Sequence, residues 1–227
     1  MTKAQAMILA AGRGERMRPL TDTCPKPLLQ VRGQPLIGWH LRALGAAGFE
    51  EAVINTAWLG EQIEARYGDE AEGVRIRYSH EGTALETAGG ILRALPLLDD
   101  CFCLMAGDVY MPGFSFSRAA LERFRAGGML AHLFLVANPE HNPNGDFGLG
   151  DDGLCLSQSE VRYTYSTCAM LRQSLFDGLP AGNPEGRKLA LAPLLRQAMD
   201  RQLVTAQLYT GPWTDVGTPA RLAALNA

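Results

Sequence analysis

The sequence predicts an α/β fold with a mixed, mainly parallel central sheet and helices on both of its faces. Two observations predict it. Up to residue 106, apolar runs of strand length alternate with amphipathic stretches of helix length, the pattern of parallel strands joined by helical crossovers. After residue 137 the alternation stops in a stretch rich in Asn, Pro, Gly and Asp, followed by short strand-like runs, which points to an antiparallel excursion.

Each element follows from its own pattern. Met7-Ile8-Leu9-Ala10-Ala11 is a continuous apolar run, as expected of a strand covered on both faces. From residue 34 to 48, Leu36, Ile37, Leu41, Leu44 and Ala47 recur at helical spacing, with Pro35 near the start and Gly48 just past the end. Ala52-Val53-Ile54 forms the second strand, residues 59–67 the second helix, 74–78 the third strand and 89–98 the third helix. Residues 101–106 are the fourth strand, with Cys101 and Cys103 packing on one face. A helix near 116–126 and an apolar strand over 129–137 come next, then short strands around 147–149 and 163–171. A helix over 192–201, a strand over 204–209, the loop Trp213-Thr214-Asp215-Val216-Gly217-Thr218 and a short helix complete the chain. No repeat, low-complexity segment or linker interrupts residues 1–227, so they read as one domain.

Composition narrows the function. Of 227 residues, 47% are hydrophobic and 20% charged, which excludes disorder, and no apolar run reaches the ~18 residues of a membrane span. Basic residues number 21 against 24 acidic, with no block of either sign, so nucleic acid is not the expected partner. Cys24, Cys101, Cys103, Cys155 and Cys168 lack metal-site spacing and read as reduced thiols. The apolar residues 6–11 run into Gly12-Arg13-Gly14 rather than a signal cleavage site, so a cytoplasmic protein without a membrane partner is expected.

The first strand opens into Gly12-Arg13-Gly14-Glu15-Arg16-Met17, a glycine-containing, twice-basic loop whose backbone N–H groups suit phosphate oxygens; a plain tight turn is the alternative. The dinucleotide fingerprint fails, because Met17 stands where its third glycine belongs and Asn55 where its acid belongs; the Gly-Lys-Ser/Thr of the P-loop is absent as well. Downstream, Lys26 sits between Pro25 and Pro27 on a stiffened backbone, one of only three lysines against eighteen arginines.

Leu9-Ala10-Ala11-Gly12-x-Gly14-x-Arg16-Met17-x-Pro19-Leu20-Thr21, followed by Pro25-Lys26-Pro27-Leu28, resembles the signature of the sugar-1-phosphate nucleotidyltransferases. Glu86-Thr87-Ala88-Gly89-Gly90, Gly107-Asp108 and the loop at Asp215 continue the resemblance in order over most of the chain. It implies a Rossmann-like three-layer sandwich of GT-A-like type, and a Mg²⁺-dependent reaction whose partners are a nucleoside triphosphate and a sugar 1-phosphate. The compact length and Leu85-Glu86-Thr87-Ala88-Gly89-Gly90 are most similar to the branch that joins UTP to N-acetylmuramate 1-phosphate in peptidoglycan recycling.

Carried onto this chain, the resemblance gives Asp108 and Asp215 to the metal, although an aspartate after a strand more often caps a turn. It gives the nucleotide phosphates to Ala11, Gly12, Gly14 and Glu15, with Arg16 on the β- and γ-oxygens and Lys26 between the α-phosphate and the sugar phosphate; Arg16, Lys26 and Asp108 are the expected catalytic residues. The base falls to Glu81, Gly82, Thr87 and Gly89, whose chemistry suits UTP, dTTP and CTP alike. The sugar falls to Asp146, Gly148 and Glu160, which also read as exposed loop residues. His40, His80, His132 and His141 are expected to be ordinary structural residues, since an anionic nucleophile needs no base.

The chain departs from the family pattern after Glu160, where Val161 and Arg162 replace a frequent lysine, and at Thr167-Cys168-Ala169. A long segment over 182–188 leaves open whether Arg187 or Lys188 meets a substrate.

Overall fold

A computed structural model describes residues 3–227. The chain opens with β1 (Gln5–Leu9), passes a long loop and the small hairpin β2 (Gln30–Val31) and β3 (Gln34–Pro35), and enters α1 (Leu36–Ala46). β4 (Glu51–Thr56), α2 (Gly60–Tyr67), β5 (Glu70–Ala71), β6 (Val74–His80), α3 (Glu86–Ala94) and β7 (Cys101–Ala106) follow. The second half runs through β8 (Val109–Tyr110), α4 (Arg118–Ala126), β9 (Ala131–Val136), β10 (Gly148–Leu149), β11 (Cys155–Leu156) and β12 (Thr164–Arg172). It ends with α5 (Leu191–Asp200), β13 (Val204–Leu208), β14 (Thr214–Asp215) and α6 (Pro219–Asn226).

The main sheet has the order β13-β9-β12-β7-β1-β4-β6-β5. β1 pairs in parallel with β4 and β7, β4 with β6, and β9 with β13. β12 is inserted antiparallel between β7 and β9, and the short edge strand β5 runs antiparallel to β6. The sheet is therefore mixed and mainly parallel, with the antiparallel excursion where the sequence loses its alternation.

Side chains alternate across β1 as the pleat requires. Ala6 and Ile8 enter an apolar layer with Ile37, Leu41 and Leu44 of α1, Ile63 of α2 and Leu121 of α4, whereas Met7 enters the opposite layer with Ile91 of α3 and Leu195 of α5. Cys101 and Cys103 both lie in the first layer, and burial raises the pKa of both thiols. A third, smaller cluster of Met17, Leu29, Leu36, Tyr110 and Val216 ties the loop after β1 to the C-terminal segment.

Element limits differ from the sequence reading in instructive places. The third helix starts at Glu86 and ends at Ala94, where a 3-10 turn containing Pro96 replaces its last residues. Gly89 and Gly90 lie inside the helix rather than at its start: a Cβ on Gly89 would stand 2.5 Å from the Arg187 carbonyl oxygen. Tertiary contact there outweighs the ~1 kcal/mol cost of a helical glycine. β12 carries a register shift between Tyr165 and Ala169, with Thr167 at φ 66°.

Candidate active site

β1 is the point where the strand order reverses: the chain adds β4 and β6 on one side of it and β7 on the other. A crevice opens at the carboxyl ends of strands that part in this way. Here it is a cavity of about 680 Å³, floored by Leu104, Ala106 and Asp108 and walled by residues 9–12, Lys26, Asn55, Glu81 and Thr87. On the far side it meets Asp146, Tyr165, Thr167 and the first turns of α5.

The loop after β1 is held by its own side chains. Gly14 lies at φ 69°, and a Cβ there would meet Thr21 Cγ2 at 3.0 Å and Lys26 Cβ at 3.3 Å, so the position requires glycine on two counts. Arg13 donates to the Thr21 carbonyl (2.8 Å), pairs with Asp22 (3.2 Å) and stacks on Trp58 (3.7 Å to the ring centre). Of the two basic residues of this loop, Arg13 is thus spent on structure, while Arg16 is exposed and has no ion pair among the described residues. Ala11 and Gly12 line the cavity; Gly14, Glu15 and Arg16 lie beyond its lining.

Lys26 is buried, and its Nζ donates to Asp108 Oδ2 at 2.5 Å. Asp108 follows β7, and Val109 pairs with Asp215 in the β8–β14 ribbon, where Val216 N–H also donates to the Asp108 carbonyl (2.9 Å). The two aspartates are therefore brought side by side from distant parts of the chain. Asp215 Oδ1 is buried without a hydrogen bond of good geometry, although the Arg221 guanidinium lies against it and His141 Nε2 stands 3.2 Å away. A Cβ on Gly217 would stand 3.3 Å from Arg16 Nη2 and 3.2 Å from Asp215 Oδ2, which places the Arg16 guanidinium in the same corner. Loss of solvent, then the charges of Arg221 and Arg16, lowers the His141 pKa.

His40 of α1 supports the turn under Asp108. Burial pushes its imidazole down to about 4 from an ordinary 6.5, against opposing contributions from the Val109 and Ala106 backbone and from Asp108. The unfolded chain takes up a proton below its ordinary value while the folded one refuses it. Stability is therefore complete above that value and is lost as pH falls toward the folded one, by about 3 kcal/mol. In urea unfolding at pH 7.5 and 4.5, His40→Gln is expected to lose about 2–3 kcal/mol less than the parent between the two pH values; equal losses would contradict this.

Before α3, Glu81 spends both oxygens internally. Oε1 accepts from Asn55 Nδ2 (2.6 Å) and Oε2 from Leu85 N–H (2.8 Å), while Asn55 Oδ1 accepts from Ala10 N–H (2.8 Å). Burial raises the Glu81 pKa, and the bonds to Asn55 and Leu85 oppose the rise. The trio links the glycine loop after β1 to the turn before α3. Thr87 lines the cavity, whereas Gly82 and Gly89 do not, Gly89 being packed against residues 187–189.

On the other side, Asp146 lines the cavity with its oxygens engaged by Tyr165 N–H (2.8 Å) and Asn142 Nδ2 (3.3 Å). Gly148 packs on Ser159 and Leu156, and Glu160 is exposed; neither is in the lining, nor are Arg187 and Lys188. Sequence reasoning missed Asn55, Glu86, Tyr165, Thr167 and Arg196 in the cavity wall, and His141 and Arg221 at Asp215. Asn55 had a signal, as the polar end of an apolar strand, and Glu86 and Thr167 stood in segments compared with the family pattern; Tyr165, Arg196, His141 and Arg221 had none short of the fold.

Comparison with known proteins agrees with this architecture. Residues 5–155 match the family model described as nucleotidyl transferase. The chain is 50% identical to the N-acetylmuramate alpha-1-phosphate uridylyltransferase of Neisseria meningitidis serogroup B, over 98% of this chain and 97% of that one. It is 34% identical to the protein of the same name from Caulobacter vibrioides, over 96% and 94%. A Bacillus anthracis structure, described as a glucose-1-phosphate thymidylyltransferase in complex with sucrose, superposes with a TM-score of 0.81 at 21% identity, over 98% of this chain and 94% of that one, and so shares the fold. No helix among the described residues is long and apolar enough to cross a membrane. With the family model matching residues 5–155 and a relative 50% identical over 98% of its length, the chain belongs to the nucleotidyl transferase family.

Proposed function

We propose that the chain transfers a uridylyl group from UTP to N-acetylmuramate α-1-phosphate, releasing pyrophosphate, as a single cytoplasmic domain over residues 1–227 serving peptidoglycan recycling. The observation that carries this reading is the 50% identity, over 98% of the chain, to a protein named for that reaction. An oxygen of the sugar phosphate attacks the α-phosphorus in line, and the bond from that phosphorus to the bridging oxygen breaks with its electron pair leaving on pyrophosphate. The nucleophile is already anionic, so positioning and charge neutralisation are the protein's task.

In this reading the backbone from Ala11 through Gly12 and Gly14 to Glu15 cradles the phosphates and Arg16 forks onto the β- and γ-oxygens. Lys26 spans the α-phosphate and the sugar phosphate. Glu81 and Gly82 shape the uracil turn through the Asn55 network, with Thr87 in the wall and Gly89 behind it. In this reading the sugar falls to the segment of Asp146, Gly148 and Glu160.

Asp108 and Asp215 suit Mg²⁺: two hard carboxylates on neighbouring backbone positions match an ion that takes one or two carboxylates and completes its shell with phosphate and water. When bound, the ion neutralises charge gathering on the departing pyrophosphate. Product analysis by phosphorus NMR and mass spectrometry tests the reading. The UDP-sugar and pyrophosphate in equal amounts are expected; UDP with orthophosphate would make the chain a hydrolase instead.

A further inference from the structure

We propose that Arg196 selects an acceptor whose sugar ring carries a carboxylate, an inference that rests on the functional reading above. Among the described residues, two cationic side chains line the cavity, Lys26 and Arg196. Lys26 pairs with Asp108 and is assigned above to the phosphates. Arg196 projects from α5 on the side away from the glycine loop, where Phe147, Tyr165 and Thr167 also line the wall.

Its guanidinium is fixed at two points. Nη1 donates to the Ser157 carbonyl (2.8 Å), and the group lies 5.0 Å over the Phe147 ring. No carboxylate among the described residues comes within ion-pair distance of it, and the nearby acid of the lining, Asp146, is occupied by Tyr165 N–H and Asn142. A pinned, half-buried cation with free N–H donors and no protein counter-charge calls for an anion from the ligand. The planar fork of arginine fits a carboxylate in two-point fashion. Tyr165 lines the same wall, and its hydroxyl is buried without a hydrogen-bond partner among the described residues.

The 1-phosphate must lie at the opposite side of the sugar, toward Lys26 and the triphosphate. The anion that meets Arg196 is thus a substituent of the ring. N-Acetylmuramate carries one, a lactyl ether ending in a carboxylate, and N-acetylglucosamine does not.

The test is the ratio of kcat/KM for N-acetylmuramate 1-phosphate to that for N-acetylglucosamine 1-phosphate, at saturating UTP, in the parent, Arg196→Gln and Arg196→Lys, with melting temperature and UTP binding measured in each. Arg196→Gln is expected to shrink the ratio by about 10²-fold, chiefly through KM for the carboxylated acceptor, and Arg196→Lys to recover part of it. An unchanged ratio, or equal losses on both acceptors, overturns the inference and leaves the functional reading standing. Absence of turnover of N-acetylmuramate 1-phosphate by the parent chain overturns both.

Discussion

Asp108→Asn is expected to lower kcat by about two to four orders of magnitude at saturating Mg²⁺, and Asp215→Asn to do the same, with the fold retained in both. The amide keeps the size of each side chain but removes the charge that would draw the cation. At Asp108 it also removes the acceptor of the 2.5 Å bond from Lys26, leaving a buried ammonium without its counter-ion. At Asp215 it removes the negative charge that His141 and Arg221 approach, in a corner that Arg16 also enters. Steady-state rates across a Mg²⁺ titration, with melting curves alongside, check the expectation. Near-parental kcat in both variants at high Mg²⁺ would contradict it.

Lys26→Met carries the other large effect, a fall in kcat of about two to three orders of magnitude. Methionine keeps most of the buried aliphatic stem between Pro25 and Pro27, so the loss reports the ammonium rather than packing. Because Lys26 is assigned to the α-phosphate and the sugar phosphate as they react, kcat should fall further than KM for UTP rises. A variant that loses only UTP affinity would reduce Lys26 to a ground-state phosphate anchor. Melting temperature separates both outcomes from collapse of the Gly14 turn, against which the Lys26 stem packs.

Much of this was legible because local chemistry and fold agree. The apolar run of β1, the punctuation around α1 and the strand ending at Ala106 are set by periodicity and turn residues, and the structure keeps them within a few residues. Gly14 and Lys26 were legible as a stiffened, glycine-dependent loop. The limits of α3 were not, because Gly89 answers to the approach of the 187–189 backbone, a segment far away in sequence, and Gly90 to that of Glu81. His141 shows the same limit: read as a loop residue, it meets Asp215 only because the loop after β9 folds back over the β8–β14 ribbon. Arg196, on a helix where arginine is ordinarily a surface residue, owes its place to the Phe147 ring beneath it.

The central claim is that this cavity joins one nucleoside triphosphate to one sugar 1-phosphate. Pyrophosphate release in the presence of Mg²⁺, measured across a matrix of nucleoside triphosphates and sugar 1-phosphates, tests it most directly, with Asp108→Asn as the control. The account predicts one dominant signal, from UTP with N-acetylmuramate 1-phosphate, falling by orders of magnitude in the control. Silence throughout the matrix from folded protein that still binds UTP would contradict it.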